Sequence, residues 1–180
     1  MASNKNQKQI AGYMRTLLAL FAVIMFAACT VSYKFNAGMI DYTKIKSISI
    51  ADFPNMAEGS MYPMLSQEFS EAVRDIFTRQ TRLQILRTGG DMHLEGEITG
   101  YLLTPMAISA DSYSSETKLT LTVKIRFSNN KQPEEDFEKS YSAYQSFSSN
   151  QMLNDIQAEL LKTIMTEICE NIYNDTAGKW

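Results

Sequence analysis

The segment Asp91–Glu97 holds the side chains best suited to chemistry. His93, Glu95 and Glu97 alternate with apolar or small residues, so a strand would present the imidazole and both carboxylates on one face. Such a set could bind a metal ion or act as an acid–base pair. Residues two apart on a strand lie about 6.6 Å apart, whereas zinc holds its ligands within about 2.0 to 2.2 Å. His93 is also the chain's only histidine. The pattern favours a solvated polar face and predicts a non-enzyme without metal or cofactor. The alternative is a hydrolase or metalloenzyme that uses His93.

Cys29 is the second residue with a possible chemical role. It ends the segment Phe26-Ala27-Ala28-Cys29, which resembles the bacterial lipobox, although Phe26 stands where leucine is usual. In such signals the cysteine sulfur receives a diacylglyceryl group, and its amine usually receives a third chain after cleavage. Two or more acyl chains, at about 0.8 kcal/mol per buried methylene, hold a protein stably on a membrane. We therefore predict that Cys29 is lipidated and anchors the protein to a membrane. The alternative is a plain signal followed by a Cys29–Cys169 disulfide.

The residues before Cys29 have the pattern of a secretory signal. The first fifteen contain Lys5, Lys8 and Arg15 and no acidic residue, and apolar residues dominate from Leu17 to Ala28. This run is shorter than the roughly 18 to 20 apolar residues that cross a bilayer, so a permanent membrane helix is the weaker alternative. We predict a lipoprotein signal peptide over residues 1–28, a lipidated N-terminus and tether over 29–43, and one domain over 44–180.

The charge of the mature chain excludes one class of partner. Removal of the signal leaves 14 basic and 20 acidic residues, so the mature protein is acidic. Nucleic-acid binding requires a basic face that displaces counterions. The sequence therefore predicts no nucleic-acid partner.

Periodicity predicts five strand segments and two helices. The clearest strand is 119–127, where Leu119, Leu121, Val123, Ile125 and Phe127 alternate with polar residues. Other strands are predicted over 44–50, 83–86, 92–103 and 137–144, with helices from Pro63 to Phe77 and from Ser149-Asn150 to Ile172. The initial strand–helix–strand order predicts two parallel strands, and the later hairpins add antiparallel ones.

The final helix carries an apolar stripe that includes Cys169. This stripe predicts a core-facing helix in which Cys169 is a small buried residue, although it could instead be a groove for a partner. The sheet alternates in polarity, so one covered face is sufficient. The fold class predicted is α+β, a two-layer sandwich with two helices on one face of a mixed, mostly antiparallel, four-stranded sheet.

The order of these pieces resembles a known family. A lipobox is followed by "IKSISIADFPN", "LSQEFSEAVRDIFTRQTRLQIL", "GGDMHLEGEITGYLLTP", "KLTLTVKIRFSN" and "DFEKSYSAYQSF", and then by a long helix. This order is similar to the LptE-type lipopolysaccharide-assembly lipoproteins in their Bacteroides-like form. The resemblance implies two helices on a four-stranded sheet. It also implies a lipid-anchored outer-membrane plug, inside an LptD-type β-barrel, that helps lipopolysaccharide reach the outer leaflet. The alternative is a free-standing periplasmic lipid carrier, which would need a sizeable apolar cavity.

The sequence departs from the family in a proposed lipid-contact loop. Better-studied members place a basic residue there, whereas residues 109–116 contain Asp111 and Glu116 and no basic residue. The remaining basic group is Lys118, Lys124 and Arg126 on one strand face. We predict that these three bind lipopolysaccharide phosphates, with an ordinary solvated face as the alternative.

Overall fold

A computed structural model describes residues 40–106 and 115–178. Strand β1 (Ser47–Ile50) leads through a loop to helix α1 (Leu65–Gln80), which is followed by the short strand β2 (Gln84–Leu86). Three long strands come next, and a helix ends the chain: β3 (Met92–Pro105), β4 (Glu116–Asn129), β5 (Phe137–Ser148) and α2 (Leu153–Thr176). A short 3-10 helix (Pro133–Glu135) lies between β4 and β5. Two helices and a sheet confirm the α+β class.

The sheet has five strands in the order β2-β1-β3-β4-β5, so the prediction of four strands is wrong. The additional strand is β2, which has only three residues and pairs with β1 through Ser47–Gln84, Ile48–Ile85 and Ser49–Leu86. A short strand was predicted over 83–86, but the predicted sheet counted only four strands.

The prediction of a mostly antiparallel sheet is also wrong, because the sheet is mixed and two of its four strand pairings are parallel. Strand β1 lies between β2 and β3 and runs parallel to both. The pairs β3–β4 and β4–β5 are antiparallel. The parallel start predicted from the strand–helix–strand order is confirmed, and β3 adds a second parallel partner on the other side of β1.

One contiguous core lies between the sheet and the two helices. The predicted inward residues of β4 are all buried, and Lys124 and Arg126 on its other face are exposed. The core closes tightly at Gly96, where a Cβ atom would lie 2.3 Å from the Lys124 carbonyl oxygen and 2.9 Å from the Phe53 ring. Only glycine fits there, and the fully buried Phe53 ring occupies the space a side chain would fill.

The last helix begins later than the sequence predicts. Helix α2 starts at Leu153, with Met152 at the N-cap position and no side-chain cap, whereas Ser149 and Asn150 lie in the preceding turn. This turn is stabilised by hydrogen bonds to Ser148, including a 2.9 Å bond from the Gln151 amide to the Ser148 carbonyl oxygen. The prediction of Cys169 as a small buried residue is confirmed, since it is a free thiol exposed by only 3%.

The Asp91 side chain fixes the start of β1 through hydrogen bonds. The Asp91 carboxylate accepts hydrogen bonds from the Lys46 amide (2.9 Å), the Ser47 amide (3.2 Å) and the Ser47 hydroxyl (3.1 Å). Lys131 lies 3.3 Å from the other carboxylate oxygen. The Lys46 amide is the main cause of a lowered Asp91 pKa, because it stabilises the ionised carboxylate.

Candidate functional site

The face of the sheet opposite the helices carries the predicted chemical residues. Strand register, rather than sequence neighbourhood, sets their contacts there. Glu95 on β3 lies opposite Arg126 on β4, and Arg126 lies opposite Glu138 on β5. Arg126 therefore meets one acidic residue on each neighbouring strand at the distance of a cross-strand pair.

His93 bonds to two neighbours on this face. Its Nδ1 atom lies 2.8 Å from the Ser49 hydroxyl, and its Nε2 atom lies 3.2 Å from a Glu95 carboxylate oxygen. Ser49 faces His93 across the parallel β1–β3 pair. Sequence reasoning missed Ser49 because only strand pairing reveals this neighbour.

The Ser49–His93–Glu95 chain has residue types seen in nucleophilic catalysis but not the required access. Ser49 is only 1% exposed, and its hydroxyl also donates to the Met92 carbonyl oxygen at 3.3 Å. A nucleophile must reach its substrate, and this oxygen is enclosed within the sheet. Within residues 40–106 and 115–178, no group of three His, Cys, Asp or Glu side chains is placed to hold a metal ion. The three side chains form a hydrogen-bond chain whose serine is buried.

Lys124 and Arg126 are brought together, but both are paired with carboxylates. Arg126 lies 3.4 Å from Glu95 and 3.3 Å from Glu138, and the Lys124 ammonium lies 2.5 Å from Glu138. Lys124, followed by Arg126, lowers the pKa of Glu138 by stabilising its ionised form. These pairs are solvent-exposed, so each contributes little to stability. They also offset the positive charge that the two residues present to an anion.

Lys118 stands apart from the other two cations. It lies six positions before Lys124 along β4, a distance of about 20 Å. Its ammonium lies 5.0 Å from the centre of the Tyr144 ring, within the range of a cation–π contact. In the part of the chain that the structure describes, Lys118 forms no ion pair. The predicted stripe is therefore two separate groups.

A shallow depression of about 290 Å³ borders the paired cations. Its floor includes Gly96, and its rim includes Asp52, Glu97 and the Glu95–Arg126–Glu138 row. Asp52 pairs with Arg74, which lowers the Asp52 pKa. Acidic residues outnumber basic ones along this rim, so the depression does not present a net positive field to phosphates.

Two predictions fall on residues outside the described ranges. Cys29 and most of the 29–43 tether lie before residue 40, and residues 107–114 of the loop at 109–116 lie in the internal gap. Among the helices that the structure describes, none has the length and apolar character needed to cross a bilayer.

Comparison with known proteins identifies the family. The model "LptE: Lipopolysaccharide-assembly" matches residues 45–176. A search of curated proteins gave no match.

Several solved structures are distantly similar to this chain. A minor lipoprotein from Acinetobacter baumannii shares 12% identity at a TM-score of 0.46 and covers 74% of this chain and 94% of its own. Rare lipoprotein B from Shewanella oneidensis shares 14% identity at a TM-score of 0.46 and covers 73% of this chain and 92% of its own. PelC from Paraburkholderia phytofirmans shares 8% identity at a TM-score of 0.45 and covers 74% of this chain and 89% of its own.

These structural likenesses are too distant to bear on function. The family match instead spans the domain from the residues before β1 to the last residue of α2. The chain belongs to the LptE family of lipopolysaccharide-assembly proteins.

Proposed function

We propose that this protein is a lipid-anchored outer-membrane lipoprotein that acts by binding, as the plug and assembly partner of an LptD-type β-barrel. In this role it assists the transport of lipopolysaccharide to the outer leaflet. The observation that carries the proposal is the family match over residues 45–176, which includes every described helix and strand.

The packing of the domain favours a plug over a lipid carrier. A carrier needs an apolar cavity beneath its helices, whereas a plug works through its outer surface. Here Phe53, Phe69, Phe77 and Phe127 fill the space between sheet and helices and are exposed by 1% or less. The depression on the opposite face of the sheet is lined largely by charged residues. These features support binding by the outer surface.

Anchoring through Cys29 is part of the proposal. The buried Cys169 thiol supports it, because a disulfide to the N-terminal segment would require that side chain to leave the core. Burial also raises the pKa of Cys169 to about 12, which suppresses the reactive thiolate. Intact mass tests the anchor: the mature protein should be heavier than the polypeptide from Cys29 by its acyl groups. Cys29→Ser should abolish that increment, and a wild-type mass equal to the bare polypeptide contradicts lipidation.

Lys118, Lys124 and Arg126 are proposed as the contact for lipopolysaccharide phosphates. Ammonium and guanidinium groups are natural phosphate partners, and Lys118 has no competing carboxylate among the described residues. Lys124 and Arg126 would have to exchange Glu138 for the ligand. Changing all three to glutamine should weaken lipopolysaccharide binding and its salt dependence while preserving the melting temperature. Lys118→Gln alone should account for much of the loss. If lipopolysaccharide binding is unchanged, the three residues belong to an ordinary solvated strand face.

Copurification tests the proposed partner. The tagged full-length protein, purified from detergent-solubilised outer membranes, should bring down a large β-barrel protein. The matched control fuses residues 1–43 to an unrelated periplasmic domain, so that it keeps the predicted signal and tether but lacks the folded domain. A barrel that copurifies with both proteins reflects the anchor alone. Lipid without any barrel favours the carrier.

A further inference from the structure

Strand β5 forms an open edge of the sheet. It lies last in the strand order, and β4 is its only strand partner among the described residues. It is also long, with twelve residues, whereas the opposite edge strand β2 has three. Natural proteins protect long edges with charged residues or proline, because unpaired amides and carbonyls can bind another strand. From Ser140 to Ser148, β5 contains neither a charged residue nor a proline.

Strand register shows which main-chain groups of β5 face the open edge. The Ser149 amide bonds to the Ser115 carbonyl oxygen at 2.9 Å, and the β4–β5 register continues from this pair without a shift. In an antiparallel pair, residues that exchange hydrogen bonds with the partner strand alternate with residues that do not. The odd-numbered residues of β5 therefore bond to β4. The amides and carbonyls of the even-numbered residues point to the edge, and these residues include Ser140, Ser142, Tyr144 and Ser146.

A groove of about 450 Å³ lies beside the second half of this edge. Its walls include Gln145–Ser148 of β5 and Ile156, Glu159, Leu160 and Thr163 of α2. Phe147, Ile156 and Leu160 are only partly buried, so they leave apolar surface in the groove. A groove between an edge strand and a helix suits an extended peptide, whose main chain pairs with the strand while alternate side chains contact the groove.

Acidic residues dominate the charge of this groove. Glu116 and Glu159 line it, and none of its described lining residues is basic. The adjoining surface of α2, which also includes Glu159, adds Glu167 and Glu170 and one cation, Lys162. This charge favours a basic segment as the occupant. It opposes a second copy of the chain, since a two-fold axis would place the same acidic surface of both copies together.

We propose that the edge of β5 and this groove bind an extended segment of another protein, which adds to the sheet as a further strand. The main chain of that segment pairs with the even-numbered residues of β5. Its apolar side chains contact Phe147, Ile156 and Leu160, and its lysine or arginine side chains pair with Glu116 and Glu159. This interaction goes beyond the proposed function, because it depends neither on the barrel nor on lipopolysaccharide.

Peptide binding tests the chemistry of the occupant. A fluorescent peptide of alternating valine and lysine is titrated with the full-length protein in a nonionic detergent, and its anisotropy reports binding. The matched control peptide alternates valine and glutamate. It should bind at least about tenfold more weakly, because its carboxylates would lie beside those of the groove. Equal binding of the two peptides, or no binding of either, overturns the proposal.

A proline substitution tests the role of the edge. Ser146→Pro removes an amide that points to the edge and no hydrogen bond to β4, so the domain should keep its fold. The valine–lysine peptide should bind this variant about tenfold more weakly, because one main-chain hydrogen bond is lost and the proline ring obstructs pairing. Ser146→Thr keeps the amide and should bind like wild type. If the proline and threonine variants bind equally well, the peptide does not pair with this edge.

Two glutamine substitutions test the role of the acidic groove. Glu159→Gln should weaken binding of the valine–lysine peptide about two- to fivefold, the range expected for one exposed ion pair. Glu134→Gln makes the same change of charge at an exposed position that does not line the groove, and it should have no effect. Equal losses for the two variants would reflect net charge alone and would contradict a specific site.

Hydrogen exchange of the β5 amides, followed by NMR, tests edge pairing without a substitution. The valine–lysine peptide should slow exchange at Ser142, Tyr144 and Ser146 at least about tenfold, because each amide then donates to the added strand. Ala143 and Gln145 already donate to β4 and should change less. Unchanged exchange at the three even-numbered residues overturns the proposal.

Sedimentation of the protein without peptide identifies the competing occupant. The expected result is a monomer. A dimer that Ser146→Pro dissociates would assign the edge of β5 to a second copy of this chain and would overturn the proposal.

Discussion

The strongest stability prediction concerns two adjacent residues of β4 that face opposite ways. Val123 is fully buried, and its cross-strand neighbours are Ile98 and Tyr141. Thr122 lies on the other face, where its hydroxyl is 3.2 Å from the Ser142 hydroxyl. Replacing each with aspartate introduces the same charge at two positions that differ mainly in burial.

The magnitudes of the two changes are well separated. Val123→Asp loses about 1.5 to 3 kcal/mol of apolar burial and places an unpaired carboxylate in the core. The aspartate would have to be protonated or reach water, at a further cost of several kcal/mol. A domain of this size has a total stability of about 5 to 15 kcal/mol, so most of it is lost. Thr122→Asp removes one exposed hydrogen bond, which contributes about 0.5 to 1.5 kcal/mol.

Urea unfolding followed by circular dichroism measures the difference. Thr122→Asp should shift the midpoint slightly, whereas Val123→Asp should leave the protein largely unfolded without denaturant. Val123→Thr keeps the shape of the side chain and should cost about 1 to 3 kcal/mol, so it provides a measurable value even if the aspartate variant cannot be purified. Equal midpoint shifts for Thr122→Asp and Val123→Asp would show that the facing of β4 is wrong.

Three further predictions concern His93, Asp91 and Cys169. His93→Ala should preserve folding and barrel copurification, because its contacts are structural; a large loss of function at unchanged stability would revive the enzyme hypothesis. Asp91 has a lowered pKa in the folded state, so its contribution to stability is present above the unfolded value of about 3.9 and is lost as the pH falls through the folded value. Asp91→Asn should therefore be less stable than wild type at pH 7, with a difference that shrinks below about pH 4; a constant difference in pH-dependent melting would contradict this role. Cys169, in a Cys29→Ser background, should react with a thiol reagent only after denaturation, and rapid labelling of the folded protein would contradict its burial.

Local patterns were sufficient for much of the fold. The alternation from Leu119 to Phe127 specified which face of β4 is buried, because side chains on a strand alternate regardless of its partners. The helical spacing of Leu65, Phe69 and Val73 likewise predicted the buried face of α1. The family resemblance, confirmed over residues 45–176, supplied the link to lipopolysaccharide assembly.

Features that depend on strand pairing were not accessible to this reasoning. A short strand over 83–86 was predicted, but its place in the sheet depends on pairing with the parallel edge of β1. From the sequence, Lys124 and Arg126 form a pair of cations with no visible partner. The strand register places Glu95 and Glu138 beside them. Ser49 and His93 are 44 residues apart and meet only across the β1–β3 pair.

The sequence by itself determined the alternating strands and the apolar helix faces, and it predicts the signal and lipobox, because each depends on residues close together along the chain. The tertiary structure decided which charges neutralise each other and which apolar side chains remain exposed. Met92 and Met152 are the same residue type, yet one is 1% and the other 75% exposed. That difference arises from the packing of distant segments, since burial depends on what the folded chain places above a side chain.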